Sequence, residues 1–396
     1  MITQKCKKEL TQHILPFWDK LRDDVYGGFY GQMDNDLIVD KEGCKGVILC
    51  SRILWSYASA YITLKDTDPD IAASALDNAR HAYVFLRDRC VDREYGGVYW
   101  TVTYDGQPLD TMKHTYCQAF AIYALSTYFE ASGDNEALQL AKALYDTVEE
   151  RCTDEIAYRE AFDRKWDLIE NDALSENGLM ADKTMNTVLH LIEAYTVLFK
   201  VSADERVADR LRFLLSITED KIFDKDNDKL LVFFDRELNV IGDIHSYGHD
   251  IEAQWLIDRA CDVLGDEELR KKWAGYDLRI AEDIYRIAYD PVTGSLNNER
   301  DGDKISTKRV WWVQAETVVG FVNAYQHSGD KKFLDAADKV MDWILTYQCD
   351  HRDGSEWWAE VDMQGTPIPD VTMVNEWKCP YHNSRMCMEI IARGID

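Results

Sequence analysis

The stretch "KHTYCQAFAIYALSTYF" (residues 113–129) is apolar on nearly every side, and "NEALQLAKALYDTVEERC" (residues 135–152), which follows closely, has one charged face. A helix apolar all round is buried, and one with a charged stripe faces water. The same contrast recurs along the chain. "CSRILWSYASAYITL" (50–64), "TMNTVLHLIEAYTVLF" (184–199), "HDIEAQWLIDRACDVL" (249–264) and "VWWVQAETVVGFVNAY" (310–325) are of the first kind. "NARHAYVFLRDRC" (78–90), "ERVADRLRFLLSI" (205–217), "EELRKKWAGYDLRIAEDIY" (267–285) and "KKFLDAADKVMDWIL" (331–345) are of the second. An N-terminal helix and "YHNSRMCMEIIARGI" (381–395) complete a set of about twelve, whose pairs recur at roughly 65 residues, the signature of stacked helical hairpins.

Six hairpins can close into a ring. An open stack needs polar capping repeats at its ends, and the sequence has none, so the expected fold is all-α: an (α/α)6 barrel with inner helices around a central cavity. The near copies "YGGFYGQMD" (26–34) and "YGGVYWTVTYDG" (95–106), with "DGSEWWAEVDMQG" (353–365), read as short β-hairpins on one rim. Only seven prolines and no low-complexity stretch interrupt the pattern, so residues 1–396 are expected to form a single catalytic domain.

A net charge of −27 repels phosphate backbones and anionic lipid, which argues against nucleic acid or a membrane as partner. No run approaches the ~18 apolar residues of a membrane span, and the N-terminus is too polar for a signal peptide. Ten cysteines without a C-x-x-C pair read as reduced thiols in a cytoplasmic protein, taken here as a monomer.

Chemistry-bearing residues cluster where the inner helices begin: Arg52; His114 and Tyr116; Asn186 and His190; His249 and Glu252; Trp311, Trp312 and Glu316; and, after Trp377, His382 and Arg385. Buried groups of this kind are expensive unless paired. For any single one a structural role explains it as well; one from each of several apolar helices points to a site. "IHSYGHDIEAQW" (244–255) has two histidines four apart but lacks the Glu of H-E-x-x-H, and Gly248 weakens a helix across the pair, so no metal is expected. A nucleophile elbow, a phosphate loop and a dinucleotide fingerprint are all missing, so no cofactor is expected either. Acid–base chemistry by histidine remains, with Glu252, one turn after His249, placed to orient its ring.

The blocks "FWDKLRDDVYGGFYG" (17–31), "KGVILCSRILW" (45–55), "EYGGVYW" (94–100), "DTMKHTYCQAFAIYALS" (110–126), "LSENGLMADKTMN" (174–186), "DIHSYGHDIEAQWL" (243–256), "RVWWVQAE" (309–316) and "WKCPYHNSRMCMEII" (377–391) together resemble the cellobiose 2-epimerases of the N-acylglucosamine 2-epimerase superfamily. The resemblance spans essentially the whole chain. It implies an (α/α)6 barrel that converts the reducing-end glucose of a β-1,4-linked disaccharide to mannose without a cofactor. It also implies His249 and His382 as paired acid/base groups, with Glu252 the carboxylate partner of His249. Arg52, Asn186, His190 and Tyr116 would bind the reacting sugar, Trp312 and Trp377 would form aromatic walls, and Glu316 would be a nearby polar contact, with Trp311 beside it. Cys117 stands where the family pattern suggests a polar residue such as Asn. A monosaccharide 2-epimerase or aldose–ketose isomerase shares the enediolate step. An (α/α)6 glycoside hydrolase would need two flanking carboxylates, and a non-enzymatic scaffold would not explain the polar groups opening so many apolar helices.

Overall fold

Residues 1–171, 173 and 179–395 are described in a computed structural model. Helix α1 (Ile2–Glu9) runs through a π-helical turn, Leu10–Ile14, into α2 (Leu15–Asp19), and the three act as one outer helix. There follow the pairs α3 (Val47–Leu64) and α4 (Pro69–Phe85), α5 (Thr115–Ser132) and α6 (Asn135–Arg151), and α7 (Met185–Ser202) and α8 (Glu205–Ile217). Then come α9 (Tyr247–Leu264) and α10 (Glu267–Ile287), α11 (Trp311–Ser328) and α12 (Lys331–Trp343), and the last inner helix, α13 (Tyr381–Arg393). Each odd-numbered helix from α3 packs on the next, and α13 returns to α3, so the six inner helices form a closed ring. The outer helices pack behind them. This is the (α/α)6 architecture expected from the alternation of apolar and half-charged helices. The block at 174–186 begins at residues 174–178, which lie outside those described.

Helix α3 corrects one expectation. By length and composition it matches a membrane span, yet most of it is buried against α4, α5 and α13. Its apolar character is that of an inner helix.

At the end of the barrel away from the cavity, the inner helices α3 to α11 turn into the outer helices that follow them. Gly133, Gly265 and Gly329 end α5, α9 and α11 with φ of 72°, 67° and 71°, where a side chain would be strained. The next residues, Asp134, Asp266 and Asp330, cap the outer helices by accepting the N–H two residues on. The α7–α8 junction uses the same Asp cap, Asp204, but carries Ala203 at φ 50°.

The opposite rim is stitched by short strands. Lys45–Gly46, leading into α3, pairs with Thr101–Val102 after α4; Lys113–His114 pairs with Ala161–Phe162, and Lys183–Thr184 with Phe233–Phe234. Ile244–Ser246 pairs with Glu299–Asp301 and Arg309–Val310 with Glu360–Val361, while a bridge from Met33 to Val374 closes the circle. An ion pair with a buried cation accompanies this stitching. Lys45 meets Asp23 at 2.7 Å, Lys113 meets Asp92 at 3.0 Å, Lys183 meets Asp154 at 2.7 Å and Arg309 meets Asp290 at 3.5 Å. Each cation stands two residues before an inner helix, and Lys378, before α13, pairs with Glu356. His245 holds that same place before α9, and its Nε2 lies 2.6 Å from Asp250.

Candidate active site

The first turns of the inner helices surround a cavity of about 290 Å³ lined by Arg52, Tyr116, Ala173, Asn186, His190, His249, Glu252, Trp311, Trp312, Trp377 and His382. Every residue named for catalysis or sugar binding lines it except Glu316, while His114 and Arg385, also expected at the cluster, are buried outside its lining. Glu316 lies beneath, fully buried, with Oε1 2.7 Å from His382 Nδ1. His245, bonded to Asp250, is not among the lining residues.

Arg52 is framed by aromatics. Its Nη2 donates to Tyr116 Oη at 2.7 Å, and its guanidinium lies over the Phe120 ring at 4.2 Å and the Tyr381 ring at 4.7 Å. On the opposite side, the Trp312 indole lies between the two imidazoles, with ring centroids 4.7 Å from His249 and 5.4 Å from His382. Gly248 makes this approach possible: a Cβ there would stand 2.6 Å from the Trp312 ring and 2.7 Å from Val313. The glycine that seemed to weaken a helix thus lets α9 press against α11.

Below the cavity Arg385 is ringed by three carboxylates. It donates to Glu193 at 2.5 Å, to Glu316 at 2.6 Å and, by a closer contact, to Glu252. Glu193 also accepts from Tyr381 Oη and lies 2.9 Å from His190 Nδ1. Burial would raise the Glu193 carboxyl, but Arg385 and His190 outweigh it and hold it at about 2. Burial, with Glu252 adding to it, raises the Glu316 carboxyl while Arg385 pulls the other way. Glu252, Glu316 and His382 could together hold a metal ion, but the guanidinium already bridges both carboxylates.

The spacing of His249 and Glu252 suggested a pair, and the structure corrects this. His249 Nδ1 bonds Ser246 Oγ at 2.7 Å, while Glu252 turns to Arg385 and lies 3.9 Å from His382 Nδ1. A guanidinium outbids an imidazole for a carboxylate because its hydrogen bonds are charge-assisted. Burial pushes the His249 imidazole down to about 4, with Glu252 opposing. His382 is lowered as well, by burial first and then by the charges of Arg385 and Arg52. Both rings rest neutral.

Sequence reasoning missed Ser246 and Glu193. The second had a signal in "HLIE", where a carboxylate shares a face with His190 on an otherwise apolar helix. Four lining residues keep a buried polar atom without a hydrogen-bond partner among the described residues: Arg52 Nε, Asn186 Oδ1, Glu252 Oε2 and Trp311 Nε1. Such atoms are rare in protein interiors, and here they suit a ligand rich in hydroxyls.

Comparison with known proteins agrees in kind. The profile of the N-acylglucosamine 2-epimerase (GlcNAc 2-epimerase) family matches residues 28–383. A cellobiose 2-epimerase of Ruminococcus albus is 58% identical, with 100% of each chain covered, and one of Bacteroides fragilis is 38% identical, with 99% of each covered. A solved sugar epimerase from a ruminal bacterium superposes with a TM-score of 0.97 at 57% identity, over 100% of both chains. Likeness of this extent, in sequence and in fold, makes the protein a member of the N-acylglucosamine 2-epimerase family.

Proposed function

We propose that the protein epimerises, at C2, the reducing-end glucose of cellobiose and related β-1,4-linked disaccharides, giving glucosyl-mannose without a cofactor. One observation carries this reading: two imidazoles, His249 and His382, both pushed toward the neutral form by burial, reach one cavity beside Arg52. The relatives named as cellobiose 2-epimerases support the choice of substrate. A cavity near 290 Å³ falls at the small end of ligand pockets, about 300–1,000 Å³, and suits one enclosed sugar ring with the second held nearer the mouth by Trp377.

A closed pyranose has no carbonyl, so the ring opens first, with a histidine carrying the hydroxyl proton. The C2 hydrogen is then α to an aldehyde. One imidazole Nε2 takes it, leaving a cis-enediolate whose charge Arg52 and the donors of Asn186 and His190 stabilise. The other imidazole, an imidazolium that has taken its proton from solvent, returns one to C2 on the opposite face; the first imidazole then releases its proton to solvent, and the sugar ring closes as mannose. At His382 Nδ1 is taken up by Glu316, which leaves Nε2 to exchange protons with the sugar. The cysteines, all free thiols, suit a cytoplasmic enzyme, and we read the whole chain as one catalytic unit because the site draws on residues from Arg52 to Arg385.

The test is to incubate the purified protein in heavy water with cellobiose and, separately, with glucose, mannose and N-acetylglucosamine, following products by NMR. Glucosyl-mannose carrying deuterium at C2 is expected from cellobiose. A ketose product, or turnover of the monosaccharides alone, would replace this reading with an isomerase or a monosaccharide epimerase.

A further inference from the structure

Ser246 stands at the N-cap of α9, where a serine hydroxyl ordinarily accepts an N–H of the first helical turn. Here it makes no such bond. The equivalent side chains of α5 and α7 do cap their helices: His114 accepts from the N–H of Tyr116, and Thr184 from that of Thr187. The Ser246 hydroxyl instead lies 2.7 Å from His249 Nδ1. Its backbone is fixed independently of that bond, because the strand Ile244–Ser246 pairs with Glu299–Asp301. With Trp312 against the other side of the ring, the imidazole is held between a hydroxyl and an indole.

We propose that Ser246 is a positioning residue for the acid/base step, holding His249 by a hydroxyl that serves each of its protonation states. The inference rests on the proposed epimerisation. An ionised carboxylate accepts only, and so fixes a ring with Nδ1 protonated and favours the imidazolium. A hydroxyl both donates and accepts. When His249 Nε2 carries a lone pair and takes a proton from C2, Nδ1–H donates to Ser246 Oγ before and after the transfer. When a neutral ring carries its proton on Nε2 and donates a hydrogen bond to a substrate hydroxyl, Ser246 Oγ–H donates to Nδ1 instead. The groups facing His249 are Glu252 on its own helix, His190 on α7 and His382 on α13. Of the described side chains only Ser246 is hydrogen-bonded to it.

The experiment compares the wild type with Ser246→Ala, Ser246→Thr and Ser246→Asp, reading melting temperature, kcat, KM and the pH profile with cellobiose. Ser246→Ala should melt with the wild type, since no cap is lost, and should lower kcat about tenfold, the rate equivalent of one hydrogen bond, with little change in KM. Ser246→Thr should restore kcat, and Ser246→Asp should move the acid limb of the profile to higher pH by stabilising the imidazolium. A purely capping serine would instead lower the melting temperature in Ser246→Ala and leave kcat and the pH profile unchanged, which overturns the inference. So would equal kcat in all four proteins. If Ser246→Ala does not fold, the Asp and Thr profiles decide alone. A wild type inactive on every sugar would refute the proposed epimerisation itself, a result no Ser246 variant can mimic.

Discussion

The barrel buries two sets of charged groups close together, one at the rim and one beneath the cavity. At the rim, Lys45, Lys113, Lys183, Arg309 and Lys378 each meet a carboxylate just before an inner helix, and His245 takes that place at the remaining position. Beneath the cavity, Arg385 gathers Glu193, Glu252 and Glu316 once, with no counterpart elsewhere in the ring among the described residues. The cations of both sets are buried and paired, so a buried charge alone does not separate them. Recurrence does. A polar group that returns with every hairpin belongs to the architecture, and one that breaks the repeat belongs to the chemistry.

The sharpest break in that comparison should come from the histidines. His249→Asn and His382→Asn keep volume and hydrogen bonding but remove the base, and each should lower C2 deuterium incorporation by about 10²–10⁴-fold without unfolding the barrel. Cutting a rim pair should do the reverse. Lys45→Met leaves Asp23 buried without its cation and should cost about 3–5 kcal/mol in urea unfolding, while the folded fraction keeps its kcat. Loss of kcat out of proportion to stability would place the rim in the chemistry.

A third test uses pH. His249 is held at about 4 in the folded protein, below its ordinary value of 6.5, so the unfolded chain binds the extra proton first. Stability is therefore complete above pH ~6.5 and falls as the pH drops toward ~4, by at most about 3 kcal/mol from this group. His382 acts in the same direction. Glu193, held below its ordinary 4.5, loses its stabilisation only below that pH, while the raised carboxyls of Glu160 and Glu316 slope the other way above it. The difference between wild type and a histidine variant therefore isolates the histidine. His249→Asn should flatten the curve there, and an unchanged slope would count against a neutral resting imidazole.

Smaller effects are expected at the cavity wall. Trp377→Ala should weaken disaccharide binding by about 1–3 kcal/mol, read as KM with circular dichroism as the folding control. The smallest effect expected is none: dialysis against EDTA should leave activity intact, because Arg385 bridges the carboxylates a metal ion would need. Activity lost to EDTA and restored by zinc alone would reopen that site.

Much of this was legible in the sequence because the signals are local. All-round apolar helices announced the inner ring, and Arg52, Asn186, His190, His249 and His382 stood out as polar residues on them. What spacing could not give was the choice of partner. His249 and Glu252 do share a helix face, yet Arg385, more than a hundred residues away in sequence, draws Glu252 off and leaves the imidazole to Ser246. The spacing already sets His245 aside as a metal ligand, and its place in line with the rim cations gives its bond to Asp250 a role in the rim. The three carboxylates around Arg385 come from three helices, and no periodicity within one helix predicts their meeting.

Ring closure has a kinetic consequence. Arg52 is on α3 and His382 on α13, and the two helices become neighbours only when the last joins the first. Contacts so distant along the chain are expected to form late, because their loop-closure entropy must be met before they give anything back. A nascent chain with its first five hairpins docked would have most of its core and His249 in place, but no second imidazole and no Arg385 to gather the carboxylates. Catalytic competence should therefore appear only with the final docking event, and the onset of turnover during refolding would time the completion of the ring.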